Sequence, residues 1–314
     1  MNHHLGDRLG MKLKTKNFLT LEELSSKELL QLLDLSMKLK KDFKKGKQSP
    51  ILKNKTLAMI FQKPSTRTRV GFETGMFQLG GYALNLSSSD MQLSRGETIE
   101  DTAKTLSRYV DVIMARVYDH KVIEKLAKNS SVPVINGLSN SFHPCQILAD
   151  LMTIKEKKKK LKGLKIAWTG DGNNVCNSLI YGCARAGLDI SIATPKGYEP
   201  DKKVVNNSKK FIHIEITNDP QKSVKNADVV MTDTFKSIHN KDPKRMKKFL
   251  PKFQVNPSLM KKAKKNAIFL HCLPAKRGSE VTASVIDGPQ SVVWDEVENR
   301  LHSQKALLVS LLKN

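Results

Sequence analysis

Thr56–Arg69 reads TLAMIFQKPSTRTR, an apolar run followed directly by a polar, arginine-containing segment. The apolar run, Thr56–Phe61, has the length and composition of a buried β-strand. Ser65–Arg69 can open a helix, because hydroxyl side chains at a helix N-terminus accept hydrogen bonds from its free N–H groups. A strand that passes at once into a helix is typical of α/β proteins with parallel sheets.

Strand and helix patterns alternate through the rest of the chain. Ser25 and Glu28 have the spacing of a capping box, which predicts a helix that runs to about Lys45. The alternation predicts an α/β fold with two doubly wound domains, each a mostly parallel sheet flanked by helices, and an active site in the cleft between them. The further predicted strands are Tyr82–Leu86, Val110–Ala115, Val132–Ile135, Leu164–Thr169, Asp189–Ala193, Ile212–Ile216, Val229–Thr232 and Ala267–His271.

A length of 314 residues favours two domains. The pattern of Phe142–Lys160 predicts one long helix, and we place the domain boundary along it. The first predicted domain covers residues 11–150, with a C-terminal helix over 298–314 packed back on it, and the second covers 151–297. The end of the chain, Glu296–Lys313, is predicted to be amphipathic and to dock against a domain. Its apolar stripe consists of Val297, Leu301, Leu308, Leu311 and Leu312.

The composition is that of a globular protein, with 39% apolar and 27% charged residues. No apolar run is long enough to span a bilayer. Residues 1–10, which we treat as an extension of unknown role, lack the apolar stretch of a secretory signal. The four cysteines form no Cys-x-x-Cys pair, so we expect no structural zinc, no disulfides and a cytoplasmic protein.

The formal net charge of +24 has two interpretations. A basic surface attracts polyanions, so a nucleic-acid-binding protein is one hypothesis. The other is a solvated surface with scattered lysines, and we favour it because no helix-turn-helix, zinc-finger or RNA-binding aromatic motif accompanies them. Such a charge can still draw an anionic substrate toward the protein.

Ser65–Arg69 is the strongest candidate for an anion site. It places two arginines and three hydroxyl groups within five residues, and an arginine side chain can bind two phosphate oxygens at once. Free N–H groups at the helix N-terminus would add to the attraction. The alternative is an ordinary helix cap with surface arginines, and spacing alone favours the anion site only somewhat.

Four other segments place polar residues at predicted strand or helix ends, where α/β proteins bind ligands. Each alone also has an ordinary explanation, such as a capping histidine, a small buried thiol or a turn-forming aspartate. A cysteine near histidines can also indicate a thiol nucleophile. Gly170-x-Gly172 lacks the third glycine of a dinucleotide fingerprint, so we do not expect nicotinamide binding. The four segments are His143–Gln146, Asp171–Asn174, Asp233–Ser237 and His271–Pro274.

Together these segments resemble the aspartate/ornithine carbamoyltransferase family over nearly the whole chain after Met11. Three motifs in this order carry the resemblance, STRTR at Ser65–Arg69, HPCQ at His143–Gln146 and HCLP at His271–Pro274. The HCLP motif and the DGNN motif at Asp171–Asn174 favour the ornithine branch over the aspartate branch. Further matching stretches are Gln92–Glu97, Ala193–Pro200 and Glu298–Arg300.

The resemblance implies an enzyme that transfers the carbamoyl group of carbamoyl phosphate to the Nδ of L-ornithine, a reaction that serves either arginine biosynthesis or citrulline breakdown. It implies no metal, no organic cofactor, and a homotrimer or multiple of trimers in which Gln92 reaches a neighbouring site. The residues implied to bind carbamoyl phosphate are Ser65, Thr66, Arg67, Thr68, Gln92, Arg116, His143, Gln146, Cys272, Leu273 and Arg300. The residues implied to bind ornithine are Asn174, Asp233, Ser237 and Ile238. The implied catalytic residues are Arg116, His143, Asp233 and Cys272.

The implied mechanism is attack of the uncharged ornithine Nδ on the carbamoyl carbon. Arg116, His143 and Thr68 would stabilise the negative charge that develops on the carbonyl oxygen. Cys272 would be a polar neighbour of the amine rather than a covalent nucleophile. Phosphate would then leave into the arginine-rich pocket.

The chain departs from the family pattern in one loop. The family reads Asp-x-x-x-Ser-Met-Gly, whereas Ile238 and His239 follow Ser237 here. Isoleucine is stiffer than methionine, and histidine lacks the easy access of glycine to positive φ. A carbamoyltransferase for another amine, such as putrescine or a modified ornithine, is therefore an alternative, and a basic nucleic-acid-binding protein is a more distant one.

Overall fold

The computed structural model describes residues 12–236 and 244–312. The chain divides into two compact units, with the division after Met152 and again after Val297. The first ten residues, to which we assign no role, lie outside the described part. Among the described helices, none combines the length and the apolar character needed to cross a membrane.

A four-stranded parallel sheet forms the centre of the first unit. Its strands are β1 Thr56–Phe61, β2 Tyr82–Ser87, β3 Val112–Arg116 and β4 Val134–Leu138. Its helices are α1 Ser26–Lys44, α2 Thr66–Gln78, α3 Ile99–Leu106, α4 His120–Asn129, the first part of α5 Pro144–Lys158 and most of α12 Val293–Leu312. The strand order is β2-β1-β3-β4, so the winding direction of the chain switches between β1 and β3.

The second unit is built around a five-stranded parallel sheet. Its strands are β5 Lys165–Thr169, β6 Asp189–Ala193, β7 Ile214–Thr217, β8 Val229–Met231 and β9 Ile268–Leu270. Its own helices are α6 Asn174–Ala186, α7 Lys202–Ser208, α8 Pro220–Val224, α9 Met246–Phe249, α10 Pro257–Met260 and α11 Ala283–Ile286. The order β7-β6-β5-β8-β9 puts the switch between β5 and β8. The predicted fold class, two α/β domains with parallel sheets flanked by helices, is confirmed.

The ends of β3 and β4 differ from the predicted ends because charged and polar residues interrupt the apolar runs. β3 continues to Arg116, which pairs with Phe61 of β1. β4 includes Asn136, which is fully buried because its Nδ2 donates a hydrogen bond of 2.8 Å to the carbonyl of Leu19. Its Oδ1 has no hydrogen-bond partner among the described residues, so the bond from Nδ2 is what compensates for burying this amide in a strand interior.

The capping box at the start of α1 is confirmed. The Ser25 Oγ accepts a hydrogen bond of 3.2 Å from the backbone N of Glu28, and the Ser25 backbone N donates one of 2.9 Å to Glu28 Oε2. The other oxygen of Glu28 accepts a hydrogen bond from the backbone N of Lys14. This cap satisfies free N–H groups at the helix start.

The C-terminal helix contradicts the predicted amphipathic stripe. It begins at Val293 rather than Glu296, and Val297 and Leu301 are only partly buried. Protein surrounds most of the helix, so that its polar side chains are buried as well. The buried polar residues of α12 are Glu296, Asn299, Arg300, His302, Ser303, Gln304, Lys305 and Ser310.

Hydrogen bonds and small residues explain how α12 is accommodated. Lys40 Nζ donates to Asn299 Oδ1 at 2.7 Å, and Lys305 Nζ donates to the side chain of Gln78 at 2.9 Å. Gly71 of α2 leaves space that a side chain would remove, because a Cβ there would lie 2.3 Å from the Oε1 of Gln304. The helix is therefore held in a close-packed channel by polar pairs as well as by its buried apolar residues, Ala306–Val309, Leu311 and Leu312.

His302 is a buried titratable residue of this channel whose hydrogen-bonding groups are not satisfied. Neither of its ring nitrogens has a hydrogen-bond partner among residues 12–236 and 244–312. Burial and then the charge of Lys305 lower the pKa of His302 to about 4, against the opposing effect of Glu298. The imidazole is therefore neutral at neutral pH.

We expect His302 to make the first unit less stable in acid. Its pKa lies below the ordinary value of 6.5, so its contribution to stability is complete above pH 6.5 and is lost as the pH falls toward 4. Between pH 7 and pH 5 the free energy of unfolding should fall by on the order of 2 kcal/mol more in the wild type than in His302→Leu. Urea unfolding of both proteins at the two pH values measures this difference, and equal losses would contradict the assignment.

Candidate active site

In each sheet, polar side chains follow the two strands at which the winding direction switches. In the first unit Phe61 is paired with Arg116, so the loop after β1 and the end of β3 lie side by side. In the second unit Trp168 is paired with Met231, which brings the loop after β5 beside the loop after β8. Such switch points are where α/β sheets bind ligands.

The STRTR segment caps α2 as predicted. Ser65 is the N-cap, and its Oγ accepts a hydrogen bond of 3.3 Å from the backbone N of Thr68. The side chain of Thr68 is buried and accepts a hydrogen bond of 3.1 Å from Nη2 of Arg300. The helix therefore presents a positive N-terminus beside a guanidinium group, which favours an anion.

Arg300 connects three helices through one guanidinium group. Its Nη1 donates a hydrogen bond of 2.6 Å to Oε1 of Gln146 on α5, while its Nη2 donates to Thr68 on α2. Gln146 in turn donates from Nε2 to Asp150 Oδ1 at 2.8 Å. Because an arginine fork has fixed geometry, these two contacts set the orientation of its remaining N–H groups.

His143 is neutral, first because it is buried and then because it lies among cations. It is buried, and burial lowers its pKa well below the ordinary value. The charges of Arg300, Arg116 and Arg67 lower it further. A neutral imidazole can donate one hydrogen bond without adding to the repulsion between these cations, and an anion bound beside them would relieve that repulsion.

Sequence reasoning missed Lys63, two residues before Ser65. It is only 2% exposed, and its Nζ lies 4.2 Å from the centroid of the Tyr118 ring. Burial and the charge of Arg116 lower the pKa of Lys63 to about 8. A loop lysine ordinarily lies in solvent. Only its position two residues before the STRTR segment could have indicated that it is a further cation of this cluster.

The polar cluster of the second unit is centred on Asp233. Nδ2 of Asn173 donates a hydrogen bond of 2.8 Å to Asp233 Oδ2, and the Cys272 thiol donates one of 3.2 Å to Asp233 Oδ1. Asn173 is also the N-cap of α6, since its Oδ1 accepts hydrogen bonds from the backbone N of Val175 and of Cys176. The predicted contact residue, Asn174, is the first residue of that helix, and its neighbour Asn173 was missed.

Arg245 is a second missed residue of this cluster. Its guanidinium is in contact with the carboxylate of Asp171 and lies 4.8 Å from the ring centroid of Tyr198. Its Nε donates a hydrogen bond of 2.6 Å to the carbonyl of Phe235, two residues after Asp233. Arg245 therefore holds the segment that follows Asp233 against the loop after β5, and no local sequence pattern indicates such a distant pairing.

A cation site at Asp233 would require His271 to change partners. One ligand atom each from Asp233, His271 and Cys272 lie within 4.8 Å of one another. However, Nδ1 of His271 already bonds to the backbone N of Leu273 at 2.9 Å, and its Nε2 to Glu280 at 3.2 Å. A metal ion would have to displace one of these bonds.

The remaining predicted residues fall into two groups. Gln92 lies in a short 3-10 helix, Gln92–Arg95, in which no residue is buried. It has no described contact with the cationic cluster of its own chain. Ser237 and Ile238, predicted for the amine, lie outside the described residues.

Two parallel α/β units, one with a cationic cluster at its switch point and one with a carboxylate and a thiol at its own, have the architecture of a two-domain α/β enzyme. The carbamoyl-P binding domain of aspartate/ornithine carbamoyltransferase matches residues 16–156, and the Asp/Orn binding domain matches residues 162–311. The chain therefore belongs to the aspartate/ornithine carbamoyltransferase family.

Individual relatives agree with this membership. An ornithine carbamoyltransferase from Cenarchaeum symbiosum is 62% identical over 301 residues, which are 96% of this chain and 99% of that protein. The solved structure of ornithine carbamoyltransferase from Pyrococcus furiosus has a TM-score of 0.92 and 52% identity, over 96% of this chain and 99% of the other. That from Thermus thermophilus has a TM-score of 0.88 and 43% identity, over 95% and 99%.

Arg67 and Arg69 offer a matched test of the anion site. Arg67 contributes to the positive charge at His143, whereas Arg69 is exposed and pairs with Glu73 at 3.0 Å. We expect Arg67→Ala to weaken binding of inorganic phosphate at least roughly tenfold, since a charge-assisted hydrogen bond is lost. Arg69→Ala should change it by less than about threefold. Isothermal calorimetry measures both, and equal effects would show that the loop acts only through net charge.

Proposed function

We propose that the chain transfers the carbamoyl group of carbamoyl phosphate to the Nδ of L-ornithine, giving L-citrulline and phosphate. The observation that carries the proposal is the buried cationic cluster at the β1–β3 switch, where Arg116 and Arg300 accompany a neutral His143. Relatives named ornithine carbamoyltransferase, with up to 62% identity, support ornithine as the amine.

We assign carbamoyl phosphate to the domain of residues 11–150 with the helix over 298–314, and the amine to the domain of residues 151–297. The phosphate would be bound by the N-terminus of α2 and the guanidinium groups near it. The carbamoyl end would be bound by the groups around His143, and by Cys272 and Leu273. The residues assigned to carbamoyl phosphate within the first domain are Ser65, Thr66, Arg67, Thr68, Arg116, His143, Gln146 and Arg300.

During the transfer, negative charge develops on the carbonyl oxygen of carbamoyl phosphate. The lone pair of the neutral Nδ forms a bond to the carbamoyl carbon, and the C–O bond to the phosphate breaks. The proton lost from Nδ balances the charge of the departing phosphate. Arg116, His143 and Thr68 donate hydrogen bonds to the developing oxyanion, and one such donor contributes ~2.7–4 kcal/mol to lowering the barrier.

We assign the amino-acid end of ornithine to the cluster of the second unit. Asp233 would accept a hydrogen bond from the substrate ammonium group, with Asn174 beside it. Its carboxylate already accepts hydrogen bonds from Asn173 and Cys272, which keep it oriented. Ser237 and Ile238 remain predictions for this end of the substrate, as does a cytoplasmic location for the enzyme.

Product formation tests the proposal directly. We expect the purified chain to form citrulline from carbamoyl phosphate and ornithine, and to form no product from putrescine or aspartate. Colorimetric or mass-spectrometric detection of the ureido product measures each reaction. A product from putrescine but not from ornithine would keep the carbamoyl phosphate site and reject ornithine as the amine.

We further propose that three copies of the chain associate and that Gln92 completes the site of a neighbouring copy. Gln92 is exposed in its own chain. The edge strand β2 has no buried residue, its first residue Tyr82 is 65% exposed, and Phe77 of α2 is 80% exposed. An exposed edge strand with apolar neighbours favours association with another chain.

Mixed subunits test the shared site. Gln92→Ala and Arg67→Ala should each be nearly inactive. Unfolded together at equal amounts and refolded, they should regain roughly a quarter of wild-type activity, since three-quarters of closed trimers are mixed and each then has one intact site of three. Sedimentation gives the oligomer size. If Gln92 acted within its own chain, the mixture would stay as inactive as its components.

A further inference from the structure

His271 and Glu280 form a buried pair beside the HCLP segment that the mechanism above does not use. Both are 0% exposed, and His271 Nε2 lies 3.2 Å from Glu280 Oε1. Nδ1 of His271 lies 2.9 Å from the backbone N of Leu273. A backbone N–H can only donate, so Nδ1 is the acceptor and the ring proton is on Nε2, directed at Glu280.

Glu280 sets this tautomer because it is ionised. Burial raises its pKa, but hydrogen bonds from His271 and from the backbone N of Lys276 outweigh burial and lower the pKa below the ordinary value. The Lys276 bond is 2.6 Å long and ends on the same oxygen, Oε1. A carboxylate that only accepts hydrogen bonds requires a proton on Nε2 of His271, which leaves Nδ1 free to accept from Leu273.

Leu273 needs such an anchor. Its φ of +55° lies in the left-handed region, which is unfavourable for a leucine. Its side chain packs against the apolar cluster of the second unit that includes Val281. The bond to His271 therefore fixes the backbone at a position where the residue alone would favour another conformation.

Fixing the N–H of Leu273 also fixes Cys272. The peptide between them is planar, so its carbonyl, which belongs to Cys272, points away from the N–H that His271 holds. The side chain of Cys272 has a second contact, because its thiol donates a hydrogen bond of 3.2 Å to Asp233 Oδ1. A rotation of this peptide would move the carbonyl, and would strain the thiol contact with Asp233.

We propose that His271, oriented by Glu280, is a positioning residue for the transfer reaction: it holds the Cys272–Leu273 peptide in the orientation that the substrates meet. The inference rests on the proposed function. His271 itself is buried behind the peptide and bonds to it rather than to a substrate, so its effect on the reaction passes through Cys272 and Leu273.

Two amide substitutions separate the two bonds of the imidazole. In His271→Asn, the Oδ1 can replace Nδ1 as the acceptor for Leu273, while the contact with Glu280 is lost. In His271→Gln, the longer side chain can replace Nε2 as the donor to Glu280, while the contact with Leu273 is lost. Both variants remove ring volume from the same buried place, so each is the control for the other.

We expect kcat for citrulline formation to stay within about fivefold of the wild type in His271→Asn and to fall at least about thirtyfold in His271→Gln, because a small misplacement of reacting groups is costly. Both should melt at lower temperature, by similar amounts. Glu280→Gln should lower kcat when residue 271 is histidine, because Glu280 orients the ring that bonds to Leu273. It should not lower kcat in His271→Asn, where the asparagine bonds to Leu273 without contacting Glu280.

Equal kcat values in the two His271 variants, or losses of activity that simply follow the loss of melting temperature, would overturn the inference and leave the pair as a core contact. An additive effect of Glu280→Gln on His271→Asn would also overturn it. A wild-type chain that forms no citrulline would reject the proposed function first, and this inference with it.

Discussion

The cationic cluster of the first unit depends on the guanidinium of Arg300. It is buried, and it bonds at once to Thr68 at the start of α2 and to Gln146 at the start of α5. A buried charge is tolerated only where its hydrogen bonds are supplied. The helix that carries Arg300 is itself buried with its polar residues, and it packs closely against α2 at Gly71, where a side chain would have no room. The position of one charge thus sets the geometry of two helix N-termini.

The two units handle charge in opposite ways. The first gathers arginines and a buried lysine around His143, which stays neutral because burial and these cations disfavour its protonation. The second surrounds the carboxylate of Asp233 with an amide and a thiol, both of which donate to it. A phosphate ester and an amino acid differ in just this respect, since the first presents only negative charge to the protein and the second presents an ammonium group as well.

Local patterns predicted what local physics determines. The capping box of α1, the strand Thr56–Phe61 and the cap at Ser65 follow from neighbouring residues, and the structure has them where the sequence indicates. The ends of β3 and β4 were misjudged because Arg116 and Asn136 are polar residues in buried strands. Partners distant in the chain supply the contacts that permit this, and no periodicity records them.

The missed residues have the same explanation. Lys63, Arg245 and Glu280 have their roles only through contacts with Tyr118, Asp171 and His271, and no local sequence pattern indicates these three pairings. For the C-terminal helix the error was the opposite one, because the spacing of its leucines predicted a single buried face and therefore too little burial. Enclosure on nearly all sides made its polar residues as buried as its apolar ones. A family resemblance identified Arg300, whereas the helical pattern around it did not.

The contact between Arg300 and Thr68 also constrains the order in which parts of the first unit can assemble during synthesis. These residues are 232 positions apart, and a ribosome makes the chain from the N-terminus. The first unit can form its sheet early, but α2 and α5 remain without their shared guanidinium until the segment that carries Arg300 has been made. During that interval the growing polypeptide has the STRTR loop without the group that aligns it. A chain that lacks α12 would therefore lack the guanidinium that joins α2 to α5, and a pocket for an anion at the start of α2 would be complete only once α12 has packed there.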